Sequence, residues 1–204
     1  DIEVKARWVQ MSEFYKDPAT RRGVAGIYFM FKPQAHALTK AAHWMKFLQP
    51  TAGQGYTRTV GFALTPCIIP EVGHANFELK ENEMAMGMGI HGEPGVWNGP
   101  LKTSREIAEE SLNTLLAYAI ERGRMKFPIL NKWAGATSIE ELYILSNDVT
   151  EILHSKGIKI YKTIVGEYAT SMEMAGASIS ICKMNDEMKK YMDHPVKTPF
   201  ICQK

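Results

Sequence analysis

Two segments of this chain open with the same helix-starting signal, and strand-like stretches run before the first and after the second. That alternation limits the fold more than any other feature. Thr103 stands three residues before Glu106, and Ser138 three before Glu141. A hydroxyl and a carboxylate so spaced can each satisfy a backbone N–H of the first helical turn. Behind the first box, Ala108, Leu112, Leu115, Leu116 and Ala119 recur at helical spacing; behind the second, Leu142, Leu145, Val149, Ile152 and Leu153 do. Each helix thus has one apolar stripe to bury. Lys156-Gly157 predicts the end of the second.

Strands are expected at residues 2–9, 57–64, 84–90, 158–165 and 177–184, with a short helix at 186–192. Strands alternating with amphipathic helices predict an α/β layered fold. Only a short link containing Thr170-Ser-Met-Glu-Met-Ala-Gly176 joins the last two strands, which predicts a mixed rather than purely parallel sheet. Thr51-Ala-Gly-Gln-Gly55 reads as a junction. The expected division is then the C-terminal part of a first α/β lobe in 1–50, a second α/β lobe in 51–190, and a tail in 191–204. The chain opens at Asp1 without a methionine and is strand-like at once, so further sequence upstream is expected.

The clearest strand pattern lies at 84–90. Met84, Met86, Met88 and Ile90 alternate with Ala85, Gly87 and Gly89, giving one large face and one almost bare. Small residues in a strand mark places where something approaches the backbone closely. His91 follows, then the turn Gly92-Glu-Pro-Gly95. A neutral imidazole at a strand end can serve as base, metal ligand or covalent nucleophile. It can equally do no more than satisfy hydrogen bonds there, and spacing alone leaves both readings open. Glu93 is expected to face solvent.

The other histidines have structural readings. His36 and His43 share helical spacing without a third ligand nearby, His74 lies in a loop, His154 meets a helix C-terminus and His194 precedes Pro195. Gly53-Gln-Gly55 lacks the third glycine and the strand of a dinucleotide fingerprint, and no Walker-type loop is present. Neither a cofactor nor a metal is therefore expected. A net charge of +2, with both signs interspersed, argues against direct nucleic-acid binding. No apolar run is long enough to span a bilayer and no signal peptide opens the chain, so no membrane contact is expected. Cys67, Cys182 and Cys202, an odd number far apart, read as reduced thiols of a cytoplasmic protein, each a small buried hydrophobe.

Several motifs in order carry a resemblance. These are Arg21-Arg-Gly-Val-Ala-Gly26, Thr57-Arg-Thr-Val-Gly-Phe-Ala-Leu-Thr-Pro-Cys67, Glu83-Met84, Gly89-Ile-His-Gly-Glu-Pro-Gly95, Gly135-Ala-Thr137, Glu141-Leu-Tyr143, Thr170-Ser-Met-Glu-Met-Ala-Gly176 and Pro195-Val-Lys-Thr-Pro199. Together, across essentially the whole chain, they resemble the dihydroxyacetone-binding subunits of the dihydroxyacetone kinase family.

That resemblance implies that His91 is the catalytic and substrate-binding residue, adding through a ring nitrogen to the dihydroxyacetone carbonyl as a hemiaminal. Reversible covalency suits a ligand with few atoms and discriminates against glycerol, which has no carbonyl. The family's Gly-His loop and acid–base Asp have no counterpart in this sequence. Gly73-His-Ala75 replaces a Gly-Lys-Pro, Phe127-Pro-Ile-Leu-Asn-Lys-Trp-Ala134 replaces a strand and Val-Asn-Gly loop, and Val96-Trp-Asn-Gly99 follows Gly95. Two functions are implied. One is the substrate-holding part of a phosphotransferase-system-dependent kinase, served by a nucleotide-binding phosphoryl-donor subunit. The other is a non-catalytic coactivator that reports dihydroxyacetone to a transcriptional regulator. A homodimer is implied in either case.

Overall fold

The computed structural model describes Tyr28 and residues 57–68, 70–89, 95–120, 129–131, 137–168, 173–182, 184, 186–199 and 201–203. The strand expected at 2–9, the lobe assigned to 1–50 (Tyr28 apart) and the junction at 51–55 lie outside them. So do His36, His43 and His91.

β1 is Thr57–Ala63. It ends there because the Leu64 and Thr65 N–H groups both turn to the Ala175 carbonyl, at 2.7 and 3.4 Å. β2, Glu83–Met86, is shorter than the alternation predicts. Gly87 takes φ +85°, a left-handed conformation that stops a strand, and the Gly87 and Met88 N–H groups donate to the Gly61 carbonyl at 2.7 and 3.1 Å. The strand expected to run to 90 therefore stops four residues short, at Met86. β3, Trp97–Pro100, returns as a hairpin with Met86 opposite Trp97. A strand containing Gly99 and Pro100 sends no sequence signal, and Pro100 is tolerated because β3 is an edge.

α1 spans Ser104–Ile120 and α2 Ile139–Ser155. Both capping boxes form. Thr103 N–H donates to Glu106 Oε2 at 2.8 Å while Glu106 N–H donates to Thr103 Oγ1 at 3.3 Å. Ser138 N–H donates to Glu141 Oε2 at 3.0 Å while Glu141 N–H donates to Ser138 Oγ at 3.2 Å. α2 closes as Lys156-Gly157 predicts: Gly157 takes φ +71°, its N–H donates to His154 O, and Ile158 N–H reaches Leu153 O at 3.0 Å.

β4 is Ile129–Asn131, β5 Lys162–Ile164 and β6 Gly176–Cys182. β5 is shorter than 158–165 because Ile158 is taken up in the α2 cap. α3, Asp186–Met192, precedes a two-stranded ladder of β7, Val196–Lys197, and β8, Cys202–Gln203. Cys67 and Cys182 are buried as expected, but Cys202 on this terminal ladder is exposed.

The main sheet runs β3-β2-β1-β6-β4-β5. β4 and β5 are parallel, whereas β4 and β6 and the remaining neighbours are antiparallel, so the sheet is mixed. Its apolar face carries Val60, Phe62, Met84, Met86, Ala177, Ile179 and Ile181 and packs on the stripes of α1 and α2 in one core. Leu112, Val149 and Leu153 are fully buried there; each such side chain stabilises the fold by about 1.5–3 kcal/mol relative to exposure.

Candidate ligand site on the small-residue face

Alternation along the strands sends the remaining side chains of β1, β2 and β6 to the opposite face. Thr59 pairs with Ser180, Gly61 with Ser178, and Ala63 with both Gly176 and Ala85. All are buried, yet all are small or hydroxylated. At one end Ala63, Ala85 and Met88 pack with Phe77, Leu79 and Met174; at the other Cys182 joins Met184, Met188 and Met192 of the α3 region. Between them lies a floor that can hydrogen-bond hydroxyl groups. Its described residues include no carboxylate, amine or imidazole, so it offers no proton acceptor or donor of tuned strength.

The chain crosses this floor on its way to His91. A Cβ on Gly61 would lie 2.8 Å from the Met88 carbonyl oxygen and 3.7 Å from Ser178 Cβ. The close approach here is the protein's own backbone over Gly61, while on the bare face of the 84–90 pattern it is the Val96 side chain that presses on Gly87. A Cβ on Gly87 would meet Val96 Cγ2 at 2.5 Å, and one on Gly95 would meet Met86 O at 2.7 Å. Val96 N–H then donates to Met86 O at 2.7 Å. Residues 87–89 and 95–96 are therefore clamped onto β1 and β2, flanking the segment 90–94 that contains His91 and Glu93 and lies outside the described residues.

Three of the family-like motifs meet at the far end of β1. Thr65 Oγ1 accepts from Ala175 N–H at 2.7 Å, and Glu173 Oε1 accepts from Ile68 N–H at 2.5 Å. The Thr137 hydroxyl donates to Gly176 O and accepts from Gly176 N–H, both at 2.9 Å. These side chains lock loop backbone together, which is a positioning role.

The remaining histidines are at the surface. His74 and His194 donate from Nδ1 to the carbonyls of Ala75 and Pro195 at 3.0 Å, and His154 sits exposed in the last turn of α2. Among the described residues, no three His, Cys, Asp or Glu side chains converge on a metal position. Near the Cys182 end, the Tyr28 and Tyr168 rings tilt together at 5.3 Å. Burial, then the neighbouring Tyr168, pushes Tyr28 up to about 12. Burial, then Tyr143, raises Tyr168 as well.

Sequence reasoning does not single out the hydroxyl floor. Its signal is present in Gly176-Ala-Ser-Ile-Ser-Ile-Cys182, where serine and isoleucine alternate with period two.

A family model described as the Dak1 domain matches residues 10–200. The dihydroxyacetone-binding subunit of PTS-dependent dihydroxyacetone kinase 2 from Listeria innocua is 38% identical over 185 residues, covering 88% of this chain and 55% of that one. The corresponding subunit of the PEP-dependent kinase of Escherichia coli is 32% identical over 171 residues, covering 72% and 47%. A solved structure described as a dihydroxyacetone kinase operon co-activator superposes with a TM-score of 0.78 at 28% identity, over 90% of this chain and 57% of that one. The chain spans about half the length of the curated relatives it matches.

Proposed function

The chain belongs to the Dak1 domain family, and from that premise we propose that it binds dihydroxyacetone covalently on His91 as the substrate-holding part of a dihydroxyacetone kinase. Within it, residues 51–190 form the ligand-holding lobe, 1–50 the end of a preceding lobe and 191–204 a tail. The phosphate comes from a nucleotide-binding partner subunit, and the setting is the cytoplasm with the chain as a homodimer. Among the described residues, no helix is long and apolar enough to cross a membrane.

The observation that carries this reading is the clamped pair of flanks around Gly89-Ile-His-Gly-Glu-Pro-Gly95, set beside a buried floor of hydroxyls. The neutral His91 ring nitrogen attacks the ketone carbon, an N–C bond forms, and the carbonyl π pair moves to oxygen. The ring N–H proton is lost and the oxygen gains one, so the hemiaminal contains every atom of both reactants. Glycerol offers no electrophilic carbon and is rejected. The ligand's hydroxyls remain free for hydrogen bonds and for phosphorylation.

A second reading, the coactivator, is favoured by the match to the co-activator structure. It uses the same histidine and exchanges the donor subunit for a transcriptional regulator.

Carbon NMR with labelled dihydroxyacetone tests the shared premise. A tetrahedral carbon signal is expected with the native chain, and none with His91→Ala, whose circular dichroism stays native. Persistence of the adduct in His91→Ala excludes the assignment. Addition of donor subunit and phosphoryl donor to the full-length protein separates the readings: dihydroxyacetone phosphate formation selects the kinase, and binding without turnover selects the coactivator.

A further inference from the structure

The helix layer carries a charge opposite to that of the whole chain. Net charge is +2, yet α1 and α2 together hold seven carboxylates against a single arginine, Arg105. Most of these carboxylates are engaged within the layer. Glu106 and Glu141 close the capping boxes, Glu110 pairs with Lys102, and Arg105 meets Glu151 at 2.8 Å, Glu109 at 3.3 Å and Asp148 at 3.8 Å. Glu140 is exposed, and its carboxylate has no hydrogen-bond or ion-pair partner among the described residues. Around it the helix surface is apolar. Tyr143 and Ile144 follow Glu140 by three and four residues, and Ile139 precedes Tyr143 by four, so helical spacing makes them surface neighbours. Ile139 is 44% exposed, and Tyr143 and Ile144 are each 59% exposed. Single exposed apolar side chains are ordinary, but three grouped about an unpaired carboxylate have the composition of a contact site. Tyr143 also lies close enough to Tyr168 to raise its hydroxyl, and the Tyr168 ring tilts onto Tyr28 at 5.3 Å, so aromatic surface continues beyond the helix.

The charge selects the occupant. Carboxylates repel the phosphates of nucleic acid and of anionic lipid, and a second copy docked through the same face would set acid against acid. An arginine answers both features of the patch. Its guanidinium can pair with a carboxylate through two N–H donors and can lay its plane on a tyrosine ring. We infer that the Ile139, Tyr143 and Ile144 face of α2 docks a partner protein through an arginine set among apolar side chains, the guanidinium pairing with Glu140 over the Tyr143 ring. The apolar neighbours of that arginine cover Ile139 and Ile144 and exclude water from the ion pair, which strengthens it. This face is the outer side of the helix layer, since Leu142, Leu145 and Val149 turn the other side of α2 into the core. The inference is therefore independent of dihydroxyacetone binding.

The test follows the fluorescence anisotropy of a labelled amphipathic helical peptide, with arginines flanking a leucine stripe, as the full-length protein is added. Saturable binding is expected, about tenfold weaker in Glu140→Gln and in Tyr143→Ala, the effect of one charge-assisted hydrogen bond. Lysine in place of the peptide's arginines weakens binding, and glutamate abolishes it. Glu78→Gln, which neutralises an exposed carboxylate elsewhere on the surface, leaves affinity unchanged. Circular dichroism stays native in every variant, because all three side chains are exposed. Failure of the native protein to bind the peptide overturns the inference. So does full affinity in Glu140→Gln or Tyr143→Ala, an equal loss in Glu78→Gln, or equal binding of the lysine peptide. Sedimentation velocity adds one further outcome: dissociation of a native dimer in Tyr143→Ala would show that a second copy covers the face, and would overturn the inference as well.

Discussion

A methyl group at position 61 would begin 2.8 Å from the Met88 carbonyl oxygen, and that oxygen belongs to backbone held by hydrogen bonds to Gly61 itself. The neighbour cannot rotate away as a side chain could. Gly61→Ala is therefore expected to displace residues 87–89, destabilise the chain by about 1–3 kcal/mol as overpacking does, and weaken dihydroxyacetone binding. Gly73→Ala is the matched control: its φ is +71° but nothing lies within 4 Å, so only local strain is added and ligand affinity holds. Urea midpoints with calorimetry decide between them; native-like binding in Gly61→Ala would separate Gly61 from the ligand site. At this scale little is legible in the sequence. It marks His91 as unusual but offers no reason for Gly61, because the requirement comes from a segment 27 residues further on, folded back over it.

Elements are most legible where their determinants are local. Both capping boxes, both stripes and the Gly157 stop depend on contacts within a few residues, and each forms as the spacing implies. Alternation at 84–90 overstates β2 because it reports side-chain size, whereas the strand is ended by a left-handed Gly87 pressed on Val96. β3 is silent in the sequence because its four residues, Trp-Asn-Gly-Pro, are strand only by pairing with β2. The α1 cap also has a pH signature. The Thr103 hydroxyl, then its backbone N–H, holds the Glu106 carboxyl below its usual 4.5. A carboxyl lowered on folding adds stability that is complete above its unfolded value and lost as pH falls through the folded one. Glu106→Gln is expected to flatten the acid limb of the thermal-stability profile. A limb as steep as the native one would mean that the cap is not a source of acid lability.

For the whole molecule, the proposed site puts binding on the sheet face turned away from α1 and α2. The face toward α1 and α2 holds the larger of the core clusters, while Met184 and Met192 are buried with Cys182 on the other. Ligand bound at the proposed site is then expected to appear as added stability by mass action, since the unfolded chain does not form that site. At dihydroxyacetone one hundred times its dissociation constant, the gain is about 2.7 kcal/mol. A chain of this size converts that to a rise of roughly 5–11 °C in Tm. His91→Ala should start from the native Tm and show no rise. Glycerol should leave both unchanged, because the gain depends on a carbonyl. Differential scanning calorimetry over a ligand series checks all three, and the slope against ligand concentration returns the affinity independently of titration. An equal rise with glycerol, or a rise surviving in His91→Ala, would reduce the effect to co-solvent exclusion from the surface and remove the link between this sheet face and a ketone.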